Sequence, residues 1–161
     1  MKKKNLLLCA CSMALGLLVT SCEDKEYISL HPEFSDMEFK MLEDGSTELR
    51  AGEKILATAI QSKKGSLLNH TEYNWSADTE SVSHKFRKTV IYDKETFNPC
   101  DTLIFEKPGT YNLTFNGKYY TSGDFVNFGK RDESIENGKV SYAAPSFLFY
   151  TVSVRKRLVV K

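Results

Sequence analysis

The feature that most constrains this chain is a strict alternation of apolar and polar side chains. In Thr110-Tyr111-Asn112-Leu113-Thr114-Phe115-Asn116, the residues Tyr111, Leu113 and Phe115 share one parity and the polar residues share the other. Successive side chains of a strand point to opposite faces, so this period of two predicts a half-buried strand launched from Pro108-Gly109. Asn116-Gly117 offers two continuations: a hairpin turn with 118–121 returning, or a bend through which the strand runs on past Tyr119. The C-terminus repeats the pattern. Leu148, Tyr150, Val152, Val154, Leu158 and Val160 share one parity, broken only by Lys156. Shorter strands are predicted over 54–61, 72–77, 89–92 and 102–106, with turn-rich intervals at Lys63-Lys64-Gly65-Ser66 and Asn98-Pro99-Cys100-Asp101. Ile55 to Ile60 contains alanines and would suit a helix in isolation, but its neighbours argue for a strand. Short strands spaced by turns predict an all-β antiparallel sandwich.

The N-terminus has a different grammar. Lys2, Lys3 and Lys4 precede an apolar run from Leu6 to Val19, and the small residues Thr20 and Ser21 precede Cys22. A membrane-spanning helix needs ~20 apolar residues, so this stretch reads as a secretory signal rather than a permanent span. Val19-Thr20-Ser21-Cys22 resembles the lipobox of bacterial lipoproteins. That resemblance implies cleavage before Cys22, a lipid on Cys22, and anchoring of the protein to a membrane through it. The following Glu23, Asp24, Lys25 and Glu26 resemble the acidic stretch of surface-exported lipoproteins of Bacteroidota. The resemblance implies the outer membrane and display at the cell surface, with the periplasmic face as the other placement. The expected organisation is a signal peptide over 1–21, an acidic tether over 22–38 and a sandwich domain over 39–161.

Charge and cysteine content narrow the function. Without Lys2, Lys3 and Lys4, Lys plus Arg falls from 22 to 19 against 21 Asp plus Glu, which leaves no basic excess to hold nucleic acid. Arg155-Lys156-Arg157 is the one basic cluster and lies inside a predicted strand. Cys9 and Cys11 fall in the signal, so Cys100 is the remaining thiol, expected small and half-buried, and no internal disulfide is available. His31, His70 and His84 lack zinc-site spacing, and no phosphate loop, dinucleotide fingerprint or nucleophile elbow occurs. No cofactor and no catalytic set is expected.

Two motifs carry a fold resemblance. Tyr73-Asn74-Trp75, followed later by Pro108-Gly109-Thr110-Tyr111-Asn112-Leu113-Thr114-Phe115, resembles the PKD and related immunoglobulin-like domains. The resemblance implies that Trp75 is the core tryptophan of strand C and that Tyr111 takes the corner position at the start of strand F. Ser76-Ala77-Asp78 stands where PKD domains carry Gly-Asp-Gly, so the broader immunoglobulin-like sandwich is the better description. The F-to-G connection, from about Tyr119 to Pro145, is expected to be unusually long.

That connection holds the candidate ligand-binding residues Tyr119, Tyr120, Phe125 and Phe128. Aromatics on a sandwich loop stack on sugar rings or anchor a protein partner, and the alternative is that Tyr119 and Phe125 extend the core. Asp101-Thr102-Leu103 resembles the O-glycosylation acceptor of exported Bacteroidota proteins, which implies a glycan on Thr102. The sequence therefore favours a lipid-anchored accessory module that captures glycan or a protein partner within an outer-membrane assembly. A structural or adhesive subunit using strand addition is the alternative, and a hydrolase is the third reading.

Overall fold

The structure is a computed structural model that describes residues 27–79, 82 and 89–161. Its elements in chain order are β1 (Ile28–Ser29), β2 (Glu33–Met41), β3 (Lys54–Lys63), β4 (Leu68–Ala77), β5 (Val90–Tyr92), β6 (Cys100–Ile104), β7 (Gly109–Thr121), β8 (Asp124–Phe125), β9 (Arg131–Ile135), β10 (Gly138–Ser146) and β11 (Phe149–Val160). Among the described residues there is no helix. Two antiparallel sheets pack face to face. One has the order β2-β3-β6 and the other β5-β4-β7-β11-β10-β9, while β1 and β8 form a short parallel pair at one end.

The alternation that predicted β7 holds over thirteen residues, and the strand runs straight through Gly117. Gly117 pairs with Val152 on one side and Tyr73 on the other, so it sits in the middle of the sheet and no hairpin forms there. A Cβ built at Gly117 would lie 2.6 Å from Cε2 and 2.7 Å from Oη of Tyr119. The Tyr119 ring thus leans back along its own strand into the space that the missing side chain leaves.

Leu113, Phe115 and Val154 face inward with Tyr73, Trp75, Val140 and Val152. The opposing sheet presents Met37, Met41, Ile55, Ala57, Ala59 and Leu103, all essentially inaccessible. The two alanines stand opposite a sheet rich in rings, so small residues meet large ones across the interface. Lys156 breaks the pattern of β11 because its stem follows the inner face while Nζ reaches Asp36 Oδ1 on β2, 2.7 Å away.

Three expectations are corrected. The span 22–38, expected as tether, already carries β1 and most of β2, with Phe34 and Met37 in the core. A bulge between Phe34 and Asp36 shifts the register there, so Phe34 and Met37 share a face although their spacing is odd. The long connection over 119–145 is largely strand. The two-residue turn Glu136-Asn137, with Asn137 at φ 56°, folds β9 against β10, and the hairpin widens the larger sheet beyond β11. Cys100 is exposed rather than half-buried, because it takes the outward parity of the edge strand β6.

Tyrosine hydroxyls tie backbone segments to the larger sheet. Tyr142 Oη accepts from Phe34 N–H at 2.9 Å and donates to Phe34 O at 3.1 Å, so it satisfies both backbone groups at the β2 bulge. Tyr150 Oη donates to Ser29 O at 2.8 Å and accepts from Val126 N–H at 3.1 Å. Tyr73 bonds both backbone groups of Thr96, and Tyr111 Oη donates to Lys107 O at 2.7 Å.

Candidate functional site

The four predicted ligand-binding aromatics all lie at one end of the sandwich, but the structure separates them. Tyr119 has inward parity and is fully buried, so it presents nothing to a ligand, which corrects its expected role. Phe125 and Phe128 stack on Tyr150 with ring centroids 5.0 and 5.7 Å away, and both pack against the core. They roof the end of the larger sheet. Tyr120 alone has outward parity and stands half-exposed on the solvent face.

Sheet register gathers a cluster around Tyr120. Its cross-strand partners are His70 on β4 and Phe149 on β11, and Lys118 lies two residues back on the same face. The His70 and Tyr120 rings stack at 3.8 Å, and Phe149 is 5.5 Å from Tyr120. Lys118 Nζ lies 4.7 Å from the Tyr120 centroid and 4.2 Å from that of Phe149. Tyr120 Oη donates to Glu72 Oε1 at 3.0 Å, and Lys118 pairs with Glu72 at 3.9 Å. The Tyr120 hydroxyl, then the Glu72 carboxylate, hold the Lys118 ammonium above its ordinary pKa. Half-exposed rings beside a carboxylate and an ammonium provide stacking and hydrogen bonding together, the combination a sugar face requires. Lys118 and Phe149 were not singled out by sequence, and His70 was noted only as a histidine without zinc-site spacing. Their signal was the cross-strand register, which a single chain does not display before strands are paired.

The Tyr119 hydroxyl is buried without a hydrogen-bond partner among the described residues, and burial pushes its pKa well above the usual tyrosine value. Tyr119→Phe is therefore expected to leave urea-unfolding stability unchanged or raise it by about 1 kcal/mol. Tyr142→Phe should cost about 1–3 kcal/mol, because it orphans both backbone groups of Phe34. Equal losses from the two substitutions would disprove this assignment.

His31 lies under the same end, with its ring 5.1 Å from Phe128, 4.9 Å from Tyr142 and 5.6 Å from Tyr150. Its Nδ1–H donates to Pro32 O at 2.8 Å. Burial lowers its pKa below 6.5, with a smaller push from Arg131, against the Pro32 bond, Glu33 and Glu133. The fold thus holds fewer protons here than the unfolded chain once the pH falls below 6.5. The stability from neutral His31 is full above that pH and drains as pH falls toward the folded value. Melting temperatures between pH 7.5 and 5 should fall in the native chain and flatten in His31→Phe. Parallel curves would exclude His31 as the cause.

Thr102 stands half-buried on the outward face of the edge strand β6, and its N–H donates to Asp101 Oδ1 at 2.8 Å. Cys22 lies outside the described residues. A crevice of about 210 Å³ between the edges of β5 and β6 is lined by Tyr73, Trp75, Tyr92, Asn98 and Cys100. A shallow groove of about 430 Å³ lies along β2 and the end of β11, lined by Phe39, Leu49, Lys156 and Val159. Among the described residues no three His, Cys, Asp or Glu side chains stand together as a metal site. Comparison of the chain with protein-family models, with curated proteins and with solved structures gives no match.

Proposed function

We propose that this protein is an envelope lipoprotein, anchored through a lipid on Cys22, whose immunoglobulin-like sandwich captures a glycan or a protein partner at the cluster around Tyr120. One observation carries the reading. Tyr27, five residues after Cys22, accepts from Asp124 N–H through its carbonyl, at the end of the sandwich near which Tyr120, His70, Lys118 and Phe149 are displayed. A module anchored there works beside the membrane, as an accessory of an outer-membrane assembly does.

The immunoglobulin-like reading is supported by strand order. β4-β7-β11 follows the C-F-G order, β2-β3-β6 follows A-B-E, and the β9–β10 hairpin is an addition between F and G. The bond from Tyr111 to the carbonyl four residues upstream has the geometry of a tyrosine corner. The resemblance to surface-exported lipoproteins supports the outer membrane and the cell surface, and Thr102 as an O-glycan acceptor belongs to the same reading. Donation of the terminal strand is disfavoured because β11 lies between β7 and β10, so donating it would empty the middle of the sheet.

The test is a glycan array probed with the full mature protein, followed by Tyr120→Ala and Lys118→Ala on any hit. Each substitution should weaken binding about tenfold, the order lost with one desolvated stacking or cation–π contact. Binding that survives both would remove this cluster from the ligand surface. Proteinase shaving of intact cells checks the display, and resistance until the outer membrane is broken would exclude the surface. Mass spectrometry checks both the acyl chains on Cys22 and the glycan on Thr102.

A further inference from the structure

We propose that the apolar end of the sandwich seats on the lipid bilayer itself, so that the domain stands with this end in the headgroup region and does not swing on a leash. The inference rests on the lipid-anchoring reading and goes beyond it by giving the domain an orientation and a second membrane contact.

Three separate segments converge on the backbone of 121–124. Asp124 N–H donates to Tyr27 O, and Ser122 N–H donates to Leu67 O at 2.8 Å. Thr121 N–H donates to Leu148 O at 2.9 Å, and Thr121 Oγ1 donates to Phe147 O at 3.3 Å. The four residues brought together are apolar or aromatic and open to solvent: Tyr27 is 65% exposed, Leu67 41%, Phe147 73% and Leu148 52%. A Cβ at Gly123 would lie 2.2 Å from Tyr27 O, so the hub tolerates no side chain there.

Two placements run against the usual rules for loops. Phe147 and Leu148 form the turn between β10 and β11, where polar residues are the norm. Leu67 adopts a φ of 49°, a region that glycine or asparagine enters far more easily than leucine. Exposed apolar groups gathered on one rim mark an interaction surface. The same end carries Lys63 and Lys64, Lys63 paired with Glu33 at 3.6 Å and Lys64 over the Phe97 ring, with Asp124 as the exposed acid of the hub. Aromatic and aliphatic tips flanked by lysines match the layer where acyl chains meet headgroups.

The length of the link selects the bilayer over other occupants. Four residues lie between Cys22 and Tyr27, and the five steps from one to the other reach at most about 18 Å when fully extended. With acyl chains in the membrane, that span holds the 121–124 hub against the headgroups and leaves no room to turn the opposite end toward them.

The test uses the full mature protein in phosphatidylethanolamine–phosphatidylglycerol vesicles whose acyl chains are brominated. Trp75, the single tryptophan, is buried in the core, so the native emission should not change on bromination. In Phe147→Trp, bromination should quench the added emission, and adding Leu67→Asp and Leu148→Asp should abolish that quenching. Circular dichroism verifies that these exposed substitutions leave the fold intact. Absence of quenching in a protein whose mass shows acyl chains overturns the seating alone. A mature chain without acyl chains overturns the anchoring reading and the seating with it. Dimerisation of the lipid-free chain that Phe147→Asp abolishes would assign this end to a second copy and overturn the proposal.

Discussion

Phe115→Ala is expected to lower the unfolding free energy by about 3–5 kcal/mol, the range for truncating a fully buried ring. Phe115 is fully buried, and its ring lies 5.5 Å from Phe34, 5.4 Å from Tyr73 and 5.1 Å from Trp75. It therefore joins β2 of one sheet to β4 of the other, and truncation opens a cavity on both sides of the interface. β7 itself is paired on both edges, by β4 and β11, so the space on its side cannot close by local collapse. Against a typical total of about 5–15 kcal/mol, such a loss brings the domain near unfolding. Urea titration measures it. Thr114→Ala, one residue away on the outer face, serves as the control and should cost under about 0.5 kcal/mol. Comparable losses at both positions would contradict the two-faced reading of β7.

Gly117→Val should cost about 3 kcal/mol or more by overpacking, although Val is a better strand former than Gly. The space beside Gly117 is occupied by the Tyr119 ring, which has no exit because Tyr119 is itself inaccessible. The discriminating measurement is the double variant Gly117→Val with Tyr119→Ala. Removing the ring should recover much of the loss from Gly117→Val, giving a coupling of about 1–3 kcal/mol between adjacent inward positions. Additive losses would show that Gly117 is needed for its backbone and not for the space it leaves.

The sequence made some parts of this molecule plain. β7 and β11 show their period of two without interruption except at Lys156. The first half of β2 was hidden because its bulge breaks the alternation, leaving Phe34 and Met37 three residues apart. Met37, Phe39 and Met41 do alternate, but across the boundary drawn between tether and domain. β9 was hidden for a different reason. Arg131-Asp132-Glu133-Ser134 is a charged edge, protected against pairing with other chains, and such an edge carries no apolar pattern. β10 did carry one, in Val140, Tyr142 and Ala144, together with the turn signal Asn137-Gly138, but both fell inside a span taken as loop. For the candidate site, Tyr120 was legible as an exposed aromatic. Its partners His70 and Phe149 lie 50 residues before and 29 residues after it in number, and only strand register brings them together.

The junction at Tyr150 has a mechanical meaning. One phenol holds Ser29 near the start of the fold and Val126 in a distant loop, beside the two-residue pairing of β1 with β8. A pull on the N-terminus would load these few bonds first, while β2 stays locked by nearly its whole length of pairing with β3. The domain thus carries a weak outer latch in series with a strong inner one. Under tension it would pay out a short length of chain at Tyr27–Pro32 and keep its core, a fuse ahead of the fold.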